Sequence, residues 1–292
     1  MSDAWRVSLH GGHSGGYCEH AVGDLEEIVA AAVAAGYAVF GLSEHAPRSE
    51  SRFLYPSERE KGYDVARLER EFELYAERSR LLIDQFEGRL TLLRGFEAEV
   101  VPTESYRRQM LDLRRRHGFD YMVGSVHYVE EIQLDGLPEE YEEAVRVCGG
   151  LEGLAVQYYE KVAEMAQALR PEVIGHLDLV RRNAPPDAAL DTAAIRGAAD
   201  QALEAIRSVG AILDLNTAGY RKGLGSPYPA PWLVERAHSM GIGFCFGDDS
   251  HRVEQVGAGV DQARQYLLEL GVREIEFLTR RDGEIVRQRA PL

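Results

Sequence analysis

Histidines and acidic residues gather in this sequence where apolar runs end. LHGGHSGGYCEH carries His10, His13 and His20 in quick succession. YAVFGLSEH closes on Glu44 and His45, LTLLRGFE on Glu97, FDYMVGSVH on His127 and EVIGH on His176, and GIGFCFGDD runs into Asp248, Asp249 and His251. Of the nine histidines, only His117 and His238 lie elsewhere, both in stretches with helical spacing. A lone histidine closing a strand is more often a satisfied loop or core residue than a metal ligand. Convergence reverses that judgement. So many imidazoles and carboxylates in one place need compensating cations. Nitrogen-rich sets with some carboxylate suit zinc, manganese or iron better than magnesium or calcium. The donors exceed what one ion needs, so two or three divalent ions are expected.

Such convergence requires a particular arrangement of elements. Strand-like runs fall at 5–10, 37–45, 90–97, 119–127, 172–176, 210–216 and 241–249. Amphipathic stretches with three- and four-residue spacing lie between them, at 24–36, 63–86, 151–170, 191–210, 230–241 and 260–271. Gly36, Gly210, Gly241 and Gly271 fall where those helices should stop. Repeated βα units without a linker predict a parallel sheet covered by helices, and seven strands suit a barrel better than an open sheet. The expectation is a single domain over 1–292, a distorted (βα)7 TIM-like barrel. REIEFLTRRDGEIVRQ reads either as a hairpin turning at Asp282-Gly283 or as an eighth, atypical strand. In βα barrels the reactive groups cluster at the C-terminal ends of strands, which is where these ligand-type residues fall.

Bulk properties narrow the function classes. With 45% hydrophobic and 28% charged residues, the 292-residue chain has the composition of a globular protein with a sizeable core. A net charge of −15 argues against a nucleic-acid surface, which needs clustered cations. It does not argue against a small phosphorylated substrate, because ions and a few arginines can dominate the field inside a pocket. No apolar run reaches membrane-spanning length, and the first residues do not resemble a signal peptide. Cys18, Cys148 and Cys245 form no disulfide or CxxC pattern, so a cytoplasmic setting is expected. Cys18, between two candidate ligands, could bind zinc as thiolate, but a packed or solvent-facing thiol is the commoner reading. His117 follows three arginines and reads as part of a solvated face. The acidic stretch 130–143 reads as surface, with a lid as the alternative.

Taken together, His10/His13, His20, SEHAP (43–47), GFEAE (95–99), GSVHY (124–128), GHLD (175–178) and GDDSH (247–251) resemble the polymerase and histidinol phosphatase (PHP) superfamily. The order is that of the family, over nearly the whole chain. SEHAP, GSVH, GHLDL and LNTAGYRKG (215–223) resemble its monofunctional histidinol-phosphate phosphatase branch. The resemblance implies a distorted (βα)7 barrel around a trinuclear metal centre that hydrolyses L-histidinol phosphate to L-histidinol and phosphate. It implies His10, His13, His20, His45, Glu97, His127, His176, Asp249 and His251 as ligands, with Glu97 bridging two ions. One departure stands out. The family opens with His-x-His, whereas this chain has His10-Gly-Gly-His13, an offset that a regular strand would split between its two faces. A glycine bulge would restore convergence.

Chemically, such ions activate water for attack on phosphorus. Glu97, Asp249 and His251 are the candidate catalytic residues, and Asp249, His251 or a metal-bound water is the candidate proton donor to the departing alcohol. Arginine's bidentate fork suits a phosphate, so Arg221 and Lys222, Arg181 and Arg182, and Arg48 are candidate substrate contacts. Asp178 is expected to hold His176 through its second ring nitrogen. Two other readings are another small-molecule phosphoesterase of the same superfamily and a metal-binding barrel without catalysis.

Overall fold

The computed structural model describes residues 4–292. Its strands are β1 (Val7–Ser8), β2 (Val39–His45), β3 (Thr91–Ala98), β4 (Val123–Gly124), β5 (Tyr128–Val129) and β6 (Ile132–Gln133), then β7 (Val173–Ile174), β8 (Ile212–Asn216), β9 (Phe244–Gly247), β10 (Glu274–Arg281) and β11 (Glu284–Pro291). Seven of them form one sheet in the order β1-β2-β3-β4-β7-β8-β9, every pairing parallel. A backbone bond from Leu9 N–H to Phe246 carbonyl, 2.9 Å long, brings the first and last of these strands together and nearly closes the ring. The result is the distorted seven-stranded barrel expected from the sequence. β2 is buried along six of its seven residues, as a parallel strand covered on both faces must be.

The helices are α1 (Leu25–Ala34), α2 (Pro56–Glu60), α3 (Val65–Gln85), α4 (Tyr106–His117), α5 (Pro138–Val147), α6 (Leu151–Leu169), α7 (Ala193–Val209), α8 (Ala218–Arg221), α9 (Pro231–Ser239) and α10 (Val260–Glu269). Side-chain caps start several of them. Asp24 and Glu27 form a reciprocal capping box on α1, and Asp64 and Thr192 cap α3 and α7. None of the described helices is long and apolar enough to cross a membrane. One contiguous hydrophobic core extends from Trp5 to Ala290.

Tyr121 plugs the barrel beneath the mouth. Its hydroxyl lies 2.9 Å from the Leu9 carbonyl and 3.2 Å from that of Leu42. Gly41 and Gly95 make room for it, since a Cβ at either position would lie within 2.4 Å of the ring or its oxygen. The plug thereby fixes the strand ends that carry the next residues, His10 and Ser43.

Two details differ from the sequence reading, and the open choice for the tail is settled as the hairpin. β1, β4 and β7 are shorter than their apolar runs, because the chain leaves the ladder before the ligand-type residues. The tail is a hairpin and not an eighth barrel strand: Asp282 (φ 52°) and Gly283 (φ 86°) form a two-residue turn, and β10 pairs only with β11. Arg280 ties it to Asp120, before β4, so it packs at the end of the barrel opposite the mouth. His117 is not on a solvated face. It is buried against Phe72 and Phe119, because α4 turns that side toward the core.

Candidate metal centre

The His10-Gly-Gly-His13 opening works through its glycines. Gly11 (φ +148°) and Gly12 (φ +78°) take conformations that side-chain-bearing residues rarely adopt. Their neighbours leave no room for a Cβ, which at Gly11 would lie 2.4 Å from an Asp248 oxygen. Gly11 N–H donates to Ser43 Oγ and Gly12 N–H to Ser250 Oγ, so the detour is pinned between β2 and the segment after β9. Both imidazoles reach one cluster: ligand atoms of His10, His13 and Asp249 lie within 4.8 Å of one another.

Glu97, at the end of β3, is the hub. One oxygen lies 3.2 Å from His10 Nε2 and 3.1 Å from His176 Nε2, and the other 2.8 Å from His45 Nδ1. His127 Nε2 is 3.2 Å from His176 Nε2, and His45 Nε2 is 3.3 Å from His251 Nε2. Nitrogens bound about 2.05 Å from one tetrahedral ion stand about 3.3 Å apart, so both approaches have the spacing of shared coordination. His13 Nε2 is buried without a hydrogen-bond partner, aimed at the cluster interior. A buried polar nitrogen left unpaired is costly, and a cation between these groups removes the cost. The donor set fits a divalent metal centre.

Carboxylates hold several rings from behind. Asp214 Oδ2 lies 2.7 Å from His10 Nδ1, Glu44 3.1 Å from His13 Nδ1, and Glu99 2.8 Å from His127 Nδ1. Such partners fix the ring orientation and make the facing nitrogen a better donor. Asp178 does not play this part for His176. It accepts from Ala230 N–H and pairs with Arg181, because the turn after His176 points it toward the loop before α9. Asp248 is likewise internal, held by Tyr37 Oη and Gly257 N–H, while Asp249 faces His13 and His251. Two ligand-type residues sit at positive φ, His176 (23°) and Asp249 (48°), a strain that clusters at functional positions.

Charge is unevenly distributed in the cluster. Burial works against charging His10 and His127, yet Glu97 and Asp214 raise the first well above its ordinary value, and Glu99 and Glu97 push the second up to about 10. His45 and His251 go the other way, lowered by burial and then by the neighbouring His13. Glu97 stays well below the usual carboxylate range because His10, His127 and His45 outweigh its burial.

Above this floor opens a cavity of about 720 Å³. The loops after β7, β8 and β9 bring Arg182, Arg221, Lys222 and Arg252 to its wall, whereas those after β2 and β4 bring Glu60 and Asp135. Among the described residues, Arg182, Lys222 and Arg252 have no carboxylate partner, and Glu60 and Asp135 have no cationic one. Arg221 donates from Nη2 to the Asp248 and Asp249 carbonyls, at 2.7 and 2.9 Å. Arg48 and Arg181, also expected to contact substrate, stand outside the lining. Arg48 pairs with Glu58 and stacks on Tyr55, and Arg181 is spent on Asp178 and the Pro227 carbonyl. The 46–62 segment and the acidic 130–143 stretch both reach the wall, through Tyr55 and Glu60 and through Gln133 and Asp135.

Asp214, Glu99, Asn216, Tyr228 and Arg252 were not singled out from the sequence. Asp214 had a signal: a carboxylate inside the apolar run ILDLN, on a buried strand, must have a partner. Asn216 closes the same strand, and Glu99, Tyr228 and Arg252 sit in loops, where spacing says nothing of direction.

Residues 10–218 match the PHP domain family. The chain belongs to that family. A protein of Schizosaccharomyces pombe described as "Probable histidinol-phosphatase" is 33% identical over 273 residues, covering 92% of this chain and 88% of that protein. The histidinol-phosphatase of Saccharomyces cerevisiae is 27% identical over 304 residues, covering 92% and 90%. The fold is shared with the solved histidinol phosphate phosphatase of Lactococcus lactis, complexed with zinc, L-histidinol and phosphate (TM-score 0.72, 20% identity, 97% of this chain and 99% of that one).

Proposed function

We propose that this PHP protein is a metal-dependent phosphomonoesterase that hydrolyses L-histidinol phosphate to L-histidinol and phosphate. The observation that carries the reading is the pocket itself, a metal-ready floor beneath a wall with three unpaired cations on a protein of net charge −15. The relatives and the ligands of the Lactococcus structure point to the same substrate. Two or three divalent ions, zinc, manganese or iron, would be held by His10, His13, His20, His45, Glu97, His127, His176, Asp249 and His251. Bound there, they supply a water nucleophile at neutral pH and neutralise phosphoryl charge.

The remaining work falls to side chains of this chain. Arg182, Lys222 and Arg252 draw the phosphate to the metal face, with Arg221 as a further donor. Arg221 also braces the Asp249 backbone, keeping that carboxylate turned inward. Asp249 and His251 order the water that protonates the departing alcohol. The substrate carries an amine and an imidazole, and Glu60 and Asp135, across the barrel from the cations, suit that end. A nucleotide or plain sugar phosphate offers these carboxylates neutral O–H or N–H donors but no cation. Three buried, unpaired cysteines suit a reducing compartment, consistent with work in the cytoplasm.

Purified protein given L-histidinol phosphate, p-nitrophenyl phosphate and a nucleotide panel tests the reading. The expected kcat/KM for histidinol phosphate exceeds that for the generic ester by at least about 100-fold, because only the former gives the wall carboxylates a cationic partner. Equal turnover of the two would sink the substrate assignment. Activity that survives exhaustive chelation would sink the metal centre.

A further inference from the structure

The histidine cluster has a second end, and a thiol belongs to it. Cys18 Sγ, His20, His45 and His251 offer ligand atoms that all lie within 4.8 Å of one another. Cys18 is buried on the turn that begins at Ser14, whose carbonyl accepts from the Tyr17 and Cys18 N–H groups. That turn sets Sγ 3.3 Å from His20 Nδ1 and 3.5 Å from Nε2. The two near-equal distances put Sγ beside the His20 ring rather than along a nitrogen lone pair, and a rotation of that ring leaves one nitrogen at the roughly 3.6 Å by which a tetrahedral ion, with sulfur at about 2.3 Å and nitrogen at about 2.05 Å, separates its donors. His45 Nε2 and His251 Nε2, at 3.3 Å, match the nitrogen–nitrogen edge of the same polyhedron. With His45 Nδ1 against Glu97, its Nε2 lone pair is left for this ion.

We propose that Cys18, as thiolate, is the fourth ligand of the ion held by His20, His45 and His251, and that it makes this position selective for zinc. The inference rests on the multi-ion centre of the preceding reading. Binding releases the thiol proton to solvent as the metal–sulfur bond forms, with no redox change. The other positions draw on Glu97 and Asp249 oxygens with imidazoles, a set that accepts manganese or iron as readily. A soft sulfur donor separates the two kinds of site.

Cobalt substitution of the chelated full-length protein reads this without turnover. Wild-type protein is expected to show a near-ultraviolet thiolate-to-cobalt charge-transfer band. Cys18→Ser should lose that band but keep the visible cobalt bands of the remaining ligands, while Cys148→Ala keeps both. The preference for zinc over manganese at this position should fall by more than about tenfold in Cys18→Ser, the lower end of what losing a mere outer partner costs. If Cys18→Ser fails to fold, zinc-edge X-ray absorption of the wild type decides, through a sulfur shell at about 2.3 Å. Cobalt bound with visible bands but no charge transfer, or a zinc shell without sulfur, overturns the role of Cys18 alone. No cobalt bound at all overturns the metal centre with it.

Discussion

The two ends of the histidine cluster are built on opposite electrostatic plans. At one end His10, His127 and His176 surround Glu97, and Asp214 and Glu99 stand behind two of the rings. Carboxylates there pull His10 and His127 toward the charged form. At the other end His20, His45 and His251 meet a thiol, and among the described residues two carboxylates approach their rings, Glu97 at 2.8 Å from His45 and Asp249 at 3.6 Å from His251. His45 and His251 are held toward the neutral form. The difference teaches that one mouth can carry two kinds of site. An ion at the first end meets negative oxygen already in place, whereas one at the second relies on nitrogen and sulfur.

Glu97 joins the two ends, so its removal should have the largest effect. Glu97→Ala is expected to empty both positions and cost at least about 10³-fold in kcat/KM, the several kcal/mol that bound ions contribute. Metal analysis beside kinetics checks this. Retention of all ions would show that the ends are independent. Asp214→Asn sharpens the comparison more gently. It should weaken binding at the first end by about 10–100-fold, as loss of a ring's carboxylate partner does, while leaving zinc at the Cys18 end in place. Competition titrations with two metals separate the ends; equal weakening at both would dissolve the distinction.

The histidines of both ends were legible in sequence; the carboxylates behind the first end and the thiol of the second were less so. Histidines closing apolar runs gave the strand ends, and the parallel barrel follows from βα periodicity, so His10, Glu97, His127 and His176 could be brought together before any coordinates. Even the awkward His10-Gly-Gly-His13 spacing carried its own remedy in the glycines. Cys18 was read as an ordinary thiol because a turn's side-chain direction depends on tertiary contacts, here those that pin residues 14–21. Asp178 and Asp214 show the same limit. Both are buried carboxylates near histidines in sequence or space, but only Asp214 lies on a regular strand whose alternation fixes where it points. Arg48 and Arg181 looked like substrate contacts for want of their partners, Glu58 and Asp178.

The wall cations test whether the metal floor and the substrate grip are separable. Arg182→Ala and Lys222→Ala should each raise KM by about tenfold, the worth of one charge-assisted hydrogen bond, with metal content unchanged. Arg221→Ala should raise KM and also loosen metal, because its guanidinium braces the Asp248 and Asp249 carbonyls. If Arg221→Ala leaves metal binding untouched, the brace is dispensable and Asp249 is held by its other contacts.

The smallest effect concerns the chelated protein, where the two ends should pull stability in opposite directions with pH. His127 folded sits near 10, against 6.5 unfolded, so its contribution is complete below 6.5 and is lost as pH rises toward 10. His45 and His251 are lowered in the fold, so the unfolded chain binds more protons than the folded one just below 6.5. Stability from that end therefore falls as the solution is acidified. Each proton of difference tilts stability by about 1.4 kcal/mol per pH unit. Urea midpoints of the chelated protein should peak near pH 6.5 and decline on both sides. His127→Gln should make the alkaline limb shallower, leaving the share of His10, and leave the acid limb alone. A single limb that responds to neither end would mean that the carboxylates do not divide the cluster as described.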